Sequence, residues 1–151
     1  MKKNACVVYV QATKAEVPRI KEELENNGYS VCSVLASLDV AKNAQSGATD
    51  LPDALKKCIE QAELCLFLVP EEQSDDQGIS GAIGLSGQLG KRMIGLVGGS
   101  RTAYPPGFEM VGSALRLSST RLPACIQGDD IWESEDAEVV KERRIDHQKC
   151  Q

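Results

Sequence analysis

Leu64-Cys65-Leu66-Phe67-Leu68-Val69 is an uninterrupted run of six apolar residues, and no other feature of the chain constrains the fold as strongly. A strand with one wet face alternates apolar and polar positions. A run with no polar position is the pattern of a strand covered on both faces, as in a parallel sheet held between two layers of helices. The run is far shorter than the roughly 20 residues that cross a bilayer. Shorter apolar runs flank it. Ala5–Val10, Tyr29–Leu35 and Met93–Val97 read as the first, second and fourth strands, and Ala114–Leu117 as a fifth, edge strand. Aromatic residues make up only 4% of the chain. The core is therefore built from Val, Leu, Ile and Ala, which suits a parallel sheet better than an aromatic-rich sandwich.

Between these runs the period changes to that of helices. Thr13 is placed to cap a helix reaching Asn26-Asn27, with Glu16 at the capping-box position and Val17, Ile20 and Leu24 as its buried stripe. Asn27-Gly28 closes it. Ala36 to Asp50 is polar and aperiodic and reads as a loop, with a short helical turn at Val40–Asn43. Asp50 caps a second helix, Leu51–Ala62, which tolerates Pro52 in its first turn and turns Leu55, Cys58 and Ile59 inward. An acidic loop, Glu71–Asp76, precedes a helix of small residues, Ile79–Leu89, ended by Gly90-Lys91.

Strands alternating with helices imply right-handed β-α-β units. The expected architecture is α/β, a flavodoxin-like or Rossmann-like three-layer sandwich with a four- to five-stranded parallel sheet. Residues 1–132 form one domain and 133–151 a charged C-terminal helix or tail. In such sheets the ligand binds outside the carboxyl ends of the strands, where strand order reverses. The segments after Val10, Leu35, Val69 and Val97 are therefore the ones that build a site.

The net charge is −5, and the cations form no run longer than a pair such as Arg143-Arg144. Neither a nucleic acid nor a membrane is indicated as a partner. Met1-Lys2-Lys3-Asn4 reads as a basic leader to the first strand rather than as a signal peptide, so a cytoplasmic location is expected. The six cysteines contain no C-x-x-C pair, and reduced thiols are the expectation rather than a disulfide framework. His147 and Cys150 cannot by themselves complete a zinc site, so no metal is expected. The first turn, Gln11-Ala12-Thr13-Lys14, lacks G-x-G-x-x-G, there is no Walker loop, and no cofactor is implied.

The most informative segment follows the third strand: Asp76-Gln77-Gly78-Ile79-Ser80-Gly81-Ala82-Ile83-Gly84, continuing through Leu89-Gly90-Lys91 into the fourth strand. Gly78 permits close backbone approach, and Asp76 can accept hydrogen bonds from a base or sugar. The free N–H groups at Ile79, Ser80 and Gly81 suit an electron-rich group. Gly81, Gly84 and Gly87 bare one helix face, either for close packing on the sheet or for approach of a ligand. Gly98-Gly99-Ser100-Arg101 after the fourth strand is either a phosphate-binding turn or a surface turn.

This segment resembles the nucleoside 2-deoxyribosyltransferase family, whose motif is an Asp-x-Gly-Thr loop, a Glu-Ile-Gly helix and an Ala-Leu-Gly-Lys turn. Asp76, Gly78, Ile83, Gly84, Leu89, Gly90 and Lys91 stand at matching offsets, and Ile59 and Ala62 lead into the buried strand as in that family. The resemblance covers residues 5–98. It implies a nucleoside pocket with Tyr9 at the sugar and Asp76 and Gly78 in its loop, and a homo-oligomer; the strand-end segments add Gln11, Ser80 and Arg101 as ligand-binding positions. TIR-like nucleotide-processing domains share the layout. The departures are chemical: the family's nucleophilic Glu falls on Ala82, and its motif Thr on Ile79. A methyl group cannot attack an anomeric carbon. The implied function is a nucleoside- or nucleotide-binding protein, altered or inactive in catalysis, serving as a sensor or partner module. Two alternatives stay open: an active N-glycosidic-bond hydrolase or transferase using Asp76 or Glu72 as a substitute carboxylate, and a protein-interaction domain with a decayed site.

Overall fold

The computed structural model describes residues 3–36, 53–71, 76–98, 107–133 and 139. Strands β1 (Lys3–Tyr9), β2 (Tyr29–Leu35), β3 (Leu64–Val69), β4 (Arg92–Val97) and β5 (Ser113–Arg116) form one five-stranded parallel sheet in the order β2-β1-β3-β4-β5. All six residues of β3 are buried, and the strand is central, as its unbroken apolar run requires. The chain leaves β1 for β2 on one side and returns to β3 on the other. Strand order therefore reverses between β1 and β3.

Among the described residues four α-helices cover the two faces: α1 (Val17–Asn26), α2 (Asp53–Gln61), α3 (Asp76–Gln88) and α4 (Leu122–Gln127). Alternation along β1 sorts the core into two layers. Ala5 and Val7 pack with Ile20 and Leu24 of α1 and with Leu122, Cys125 and Ile126 of α4. Cys6, Val8 and Val10 pack with Leu55, Cys58 and Ile59 of α2 and with Ile79, Ala82 and Ile83 of α3. The fold is the expected three-layer α/β sandwich, with helices on both faces of the sheet.

Several local expectations are corrected. Thr13 does not cap the first long helix. Gln11–Glu16 forms a 3-10 turn, inside which Thr13 is buried and its Oγ1 accepts from the Val10 N–H at 3.1 Å. Only then does α1 begin, with Pro18 in its first turn, where a missing N–H costs nothing. Glu16 closes no capping box and instead pairs with Arg19 at 3.0 Å on the surface. The glycine stripe does not face the sheet. Ile79, Ala82, Ile83 and Ser86 do, because Ile and Ala bury more apolar area than Gly, and Gly81, Gly84 and Gly87 fall on the half-exposed side. The turn at Val40–Asn43 and the cap Asp50 lie outside the described residues.

The chain from Trp132 onward is not simply a solvated tail at its start. Trp132 packs edge-on against Phe108, with ring centroids 5.8 Å apart and planes at 71°. Glu133 is 1% exposed, accepting from the Arg116 N–H at 2.7 Å and the Ser119 hydroxyl at 2.8 Å, and it also pairs with Arg121. The segment extends the β5 edge through Ala114 N–H to Ile131 O and Glu133 N–H to Ala114 O.

Expected thiol chemistry is corrected as well. Cys6 of β1 and Cys58 of α2, 52 residues apart, are joined in a disulfide with Cα atoms 5.5 Å apart. No spacing in the sequence signals this pair. It arises because α2 lies directly over β1.

Phe108 also explains a glycine in a buried strand. A Cβ on Gly95 would stand 2.5 Å from Phe108 Cζ and 2.7 Å from Cε1. Phe108 is itself 2% exposed and has little room to retreat. Gly95→Ala is expected to destabilise by about 1–3 kcal/mol through overpacking. Gly84→Ala on α3 meets nothing within 4 Å and is expected to stabilise by about 1 kcal/mol through helix propensity. Urea midpoints of the two variants should move in opposite directions.

Candidate functional site at the carboxyl ends of the strands

Backbone hydrogen bonds draw the strand exits together at the point of reversal. Where β1 ends, the Thr13 N–H donates to Val10 O at 3.0 Å, and Thr13 Oγ1 lies 3.5 Å from Leu68 O of β3. The buried threonine thus ties the turn after β1 to the neighbouring strand. The Ala36 N–H, just past β2, donates to Tyr9 O at 2.8 Å, and the Gly98 N–H, just past β4, donates to Val69 O at 2.8 Å. All four exits singled out in the sequence are therefore anchored to a neighbouring strand end.

The first turn of α3 closes on this junction. A Cβ on Gly78 would stand 3.3 Å from Ala36 O and 3.4 Å from Ala36 Cβ, tighter than ordinary contact. A larger residue there would need the end of β2 to give by a few tenths of an ångström. Two residues later Ser80 is half-buried, and its Oγ is shielded from solvent with no hydrogen-bond partner among the described residues. Ser86 gives the contrast, because its buried Oγ donates to Ala82 O at 2.9 Å. A hydroxyl without a partner in a buried position costs free energy. That makes Ser80 the described polar side chain at this junction with an unmet hydrogen-bonding capacity.

The remaining expected residues are dispersed. Ala82, in the second turn of α3, is 0% exposed and packs in the layer with Ile79 and Ile83 against the sheet. The Tyr9 side chain packs with the α1–α4 layer, on the sheet face opposite α3, because its parity along β1 matches Ala5 and Val7. Gln11 is exposed at the start of the 3-10 turn, and Glu71 is exposed just after β3. Asp76 is the first residue of α3. The side chain of Asp76, and Glu72 and Arg101, lie outside the described residues. Thr13 and Ala36 were not singled out as site residues. The one signal for Thr13 was a small polar residue three positions after an apolar strand.

Among the described residues no group of three or more His, Cys, Asp or Glu side chains is placed to hold a metal ion. No described helix is long and apolar enough to cross a membrane.

No protein-family model matches this chain, and no curated protein matches it. Among solved structures it is similar to the sugar isomerase domain of an RpiR transcription factor from Sphaerobacter thermophilus, with 13% identity and a TM-score of 0.49. The match covers 83% of this chain and 66% of that one, so the chain spans slightly less than two thirds of its neighbour's length.

Proposed function

We propose that the protein is a cytoplasmic nucleoside- or nucleotide-binding domain of the deoxyribosyltransferase-like class, altered or inactive in catalysis, that acts as a sensor or partner module. The observation that carries this reading is the shielded, unpartnered Ser80 hydroxyl, on the fifth residue of α3. Gly78 seats that helix start against the exit of β2, beside the reversal of strand order. A sugar hydroxyl or phosphate oxygen would give Ser80 its missing partner, and the N-terminal N–H groups of a 13-residue helix favour electron-rich atoms. Ala82, where the family keeps a nucleophile, is packed into the core, so the reading takes no covalent chemistry from it. A homo-oligomer that completes the pocket belongs to the same reading.

Ser80→Ala has two expected effects of opposite sign. Removing an unpartnered buried hydroxyl should leave the free protein as stable as before, or slightly more stable. Affinity for the ligand should fall by about 1 kcal/mol, roughly fivefold. Melting shifts across a panel of nucleosides and nucleotides, repeated on this variant, measure both. A panel that stabilises neither protein sinks the reading, and equal shifts in both remove Ser80 from the site.

A further inference from the structure

Four cysteines converge where the middle of β1 and β2 meets the start of β3. Cys6 of β1 is the register partner of Cys32 in β2 and of Cys65 in β3, so three thiol-bearing residues form one cross-strand row. Register partners in parallel strands point to one face. On that face α2 brings Cys58 down onto the row, where it is joined to Cys6.

The four environments differ sharply. Cys6 and Cys58 are 0% and 3% exposed, which shields their bond from bulk reagents. Cys65 is buried, and burial pushes its thiol up, partly opposed by the Ser86 hydrogen bond and the Lys91 charge. A thiol of that kind is a poor nucleophile. Cys32 sits on the edge strand and is exposed. It shares with Cys58 the wall of a pocket of about 120 Å³, whose other walls include Asn4, Ser30 and Gln61. Cys58 Sγ lies 3.2 Å from the Cys32 carbonyl oxygen. When the disulfide is open, the Cys58 thiol can donate to that oxygen.

We propose that Cys32, Cys58 and Cys6 form a thiol–disulfide exchange site. Cys32 is the entry thiol for a small-molecule disulfide of the glutathione type, and Cys6–Cys58 is the pair that stores the oxidation. In the reduced protein the Cys32 thiolate attacks one sulfur of the small disulfide, forming a mixed disulfide and releasing one small thiolate. The Cys58 thiolate attacks the Cys32 sulfur, forming Cys32–Cys58 and releasing the second small thiolate. The Cys6 thiolate then attacks the Cys58 sulfur, forming Cys6–Cys58 and returning Cys32 as a thiolate. Each attacking thiol gives its proton to solvent, and each released thiolate takes one back. In sum, two protein thiols become a disulfide and one small disulfide becomes two thiols. Reduction runs the same steps backward, through the one exposed member of the set. The site shares no residue with the nucleotide reading and stands independently of it.

The test uses the full chain, reduced, desalted and mixed with oxidised glutathione, with samples acid-quenched and mapped by peptide mass spectrometry. A glutathione adduct on Cys32 is expected first, decaying as Cys6–Cys58 forms. Cys32→Ser, at an exposed edge position that leaves the fold intact, should slow Cys6–Cys58 formation at least tenfold. Cys58→Ser should trap the adduct on Cys32. The proposal is overturned if Cys32→Ser oxidises at the wild-type rate, or if the Cys32 adduct persists in the wild type without an internal disulfide following.

Discussion

Ala82→Glu is expected to destabilise the domain by about 3–5 kcal/mol at neutral pH, because the position faces the packed layer between α3 and the sheet. The alanine side chain is 0% exposed, with Ile79 and Ile83 in the same apolar cluster. A glutamate there needs room for four more heavy atoms and buries a carboxylate with no cation beside it in that cluster. Desolvation would raise its folded-state pKa above the unfolded value. The variant should therefore be most stable below the ordinary carboxylate range and lose stability as pH rises through the raised pKa. Ala82→Gln keeps the volume without the charge and should show the overpacking cost with a flat pH profile. Neither variant is expected to release base from a nucleoside. Equal stability of Ala82→Glu and the parent, independent of pH, would show instead that the position opens on solvent, where a family nucleophile would stand.

Reduction of Cys6–Cys58 is expected to lower stability by about 2–4 kcal/mol. The bond closes a loop across a sequence separation of 52, and opening it returns that chain entropy to the unfolded state. It also frees α2, which carries Leu55, Cys58 and Ile59 into the core. Guanidinium unfolding with and without dithiothreitol measures the difference. The double variant Cys6→Ala, Cys58→Ala should resemble the reduced protein and ignore the reductant. A parent midpoint that reductant leaves unmoved would contradict the account of this bond.

The frame of the fold was legible because burial on both faces writes itself into a strand directly. β3 needed no more than its six residues, and β2 has the bounds its apolar run suggests. What escaped was set by contacts between distant segments. Thr13 has the residue type of a cap, and its hydroxyl does bond backbone, but three residues upstream within a 3-10 turn that periodicity cannot separate from a helix. The glycines of α3 suggest close packing, yet the helix rolls its Ile and Ala side inward. Six-residue α4 is too short to show a period, so Leu122, Cys125 and Ile126 gave no helical signal. Glu133 reads as one of several tail charges and becomes a buried acceptor only because β5 brings Arg116 N–H to it. The segment after β3 does form a helix, and Gly78 lies at a close approach, but no sequence pattern told which way Ala82 or Tyr9 would face. Parity along β1 decides the second of these and packing decides the first.

The most direct test of the central claim is a titration of the isotopically labelled protein with nucleosides and nucleotides, followed by amide chemical shifts. The account predicts saturable shifts at Tyr9 to Thr13, Ala36, Gly78 to Gly81 and Gly98, where the strand exits meet the start of α3. Shifts confined to Asn4, Ser30, Cys32 and Gln61, or none with any member of the panel at millimolar concentration, would contradict it.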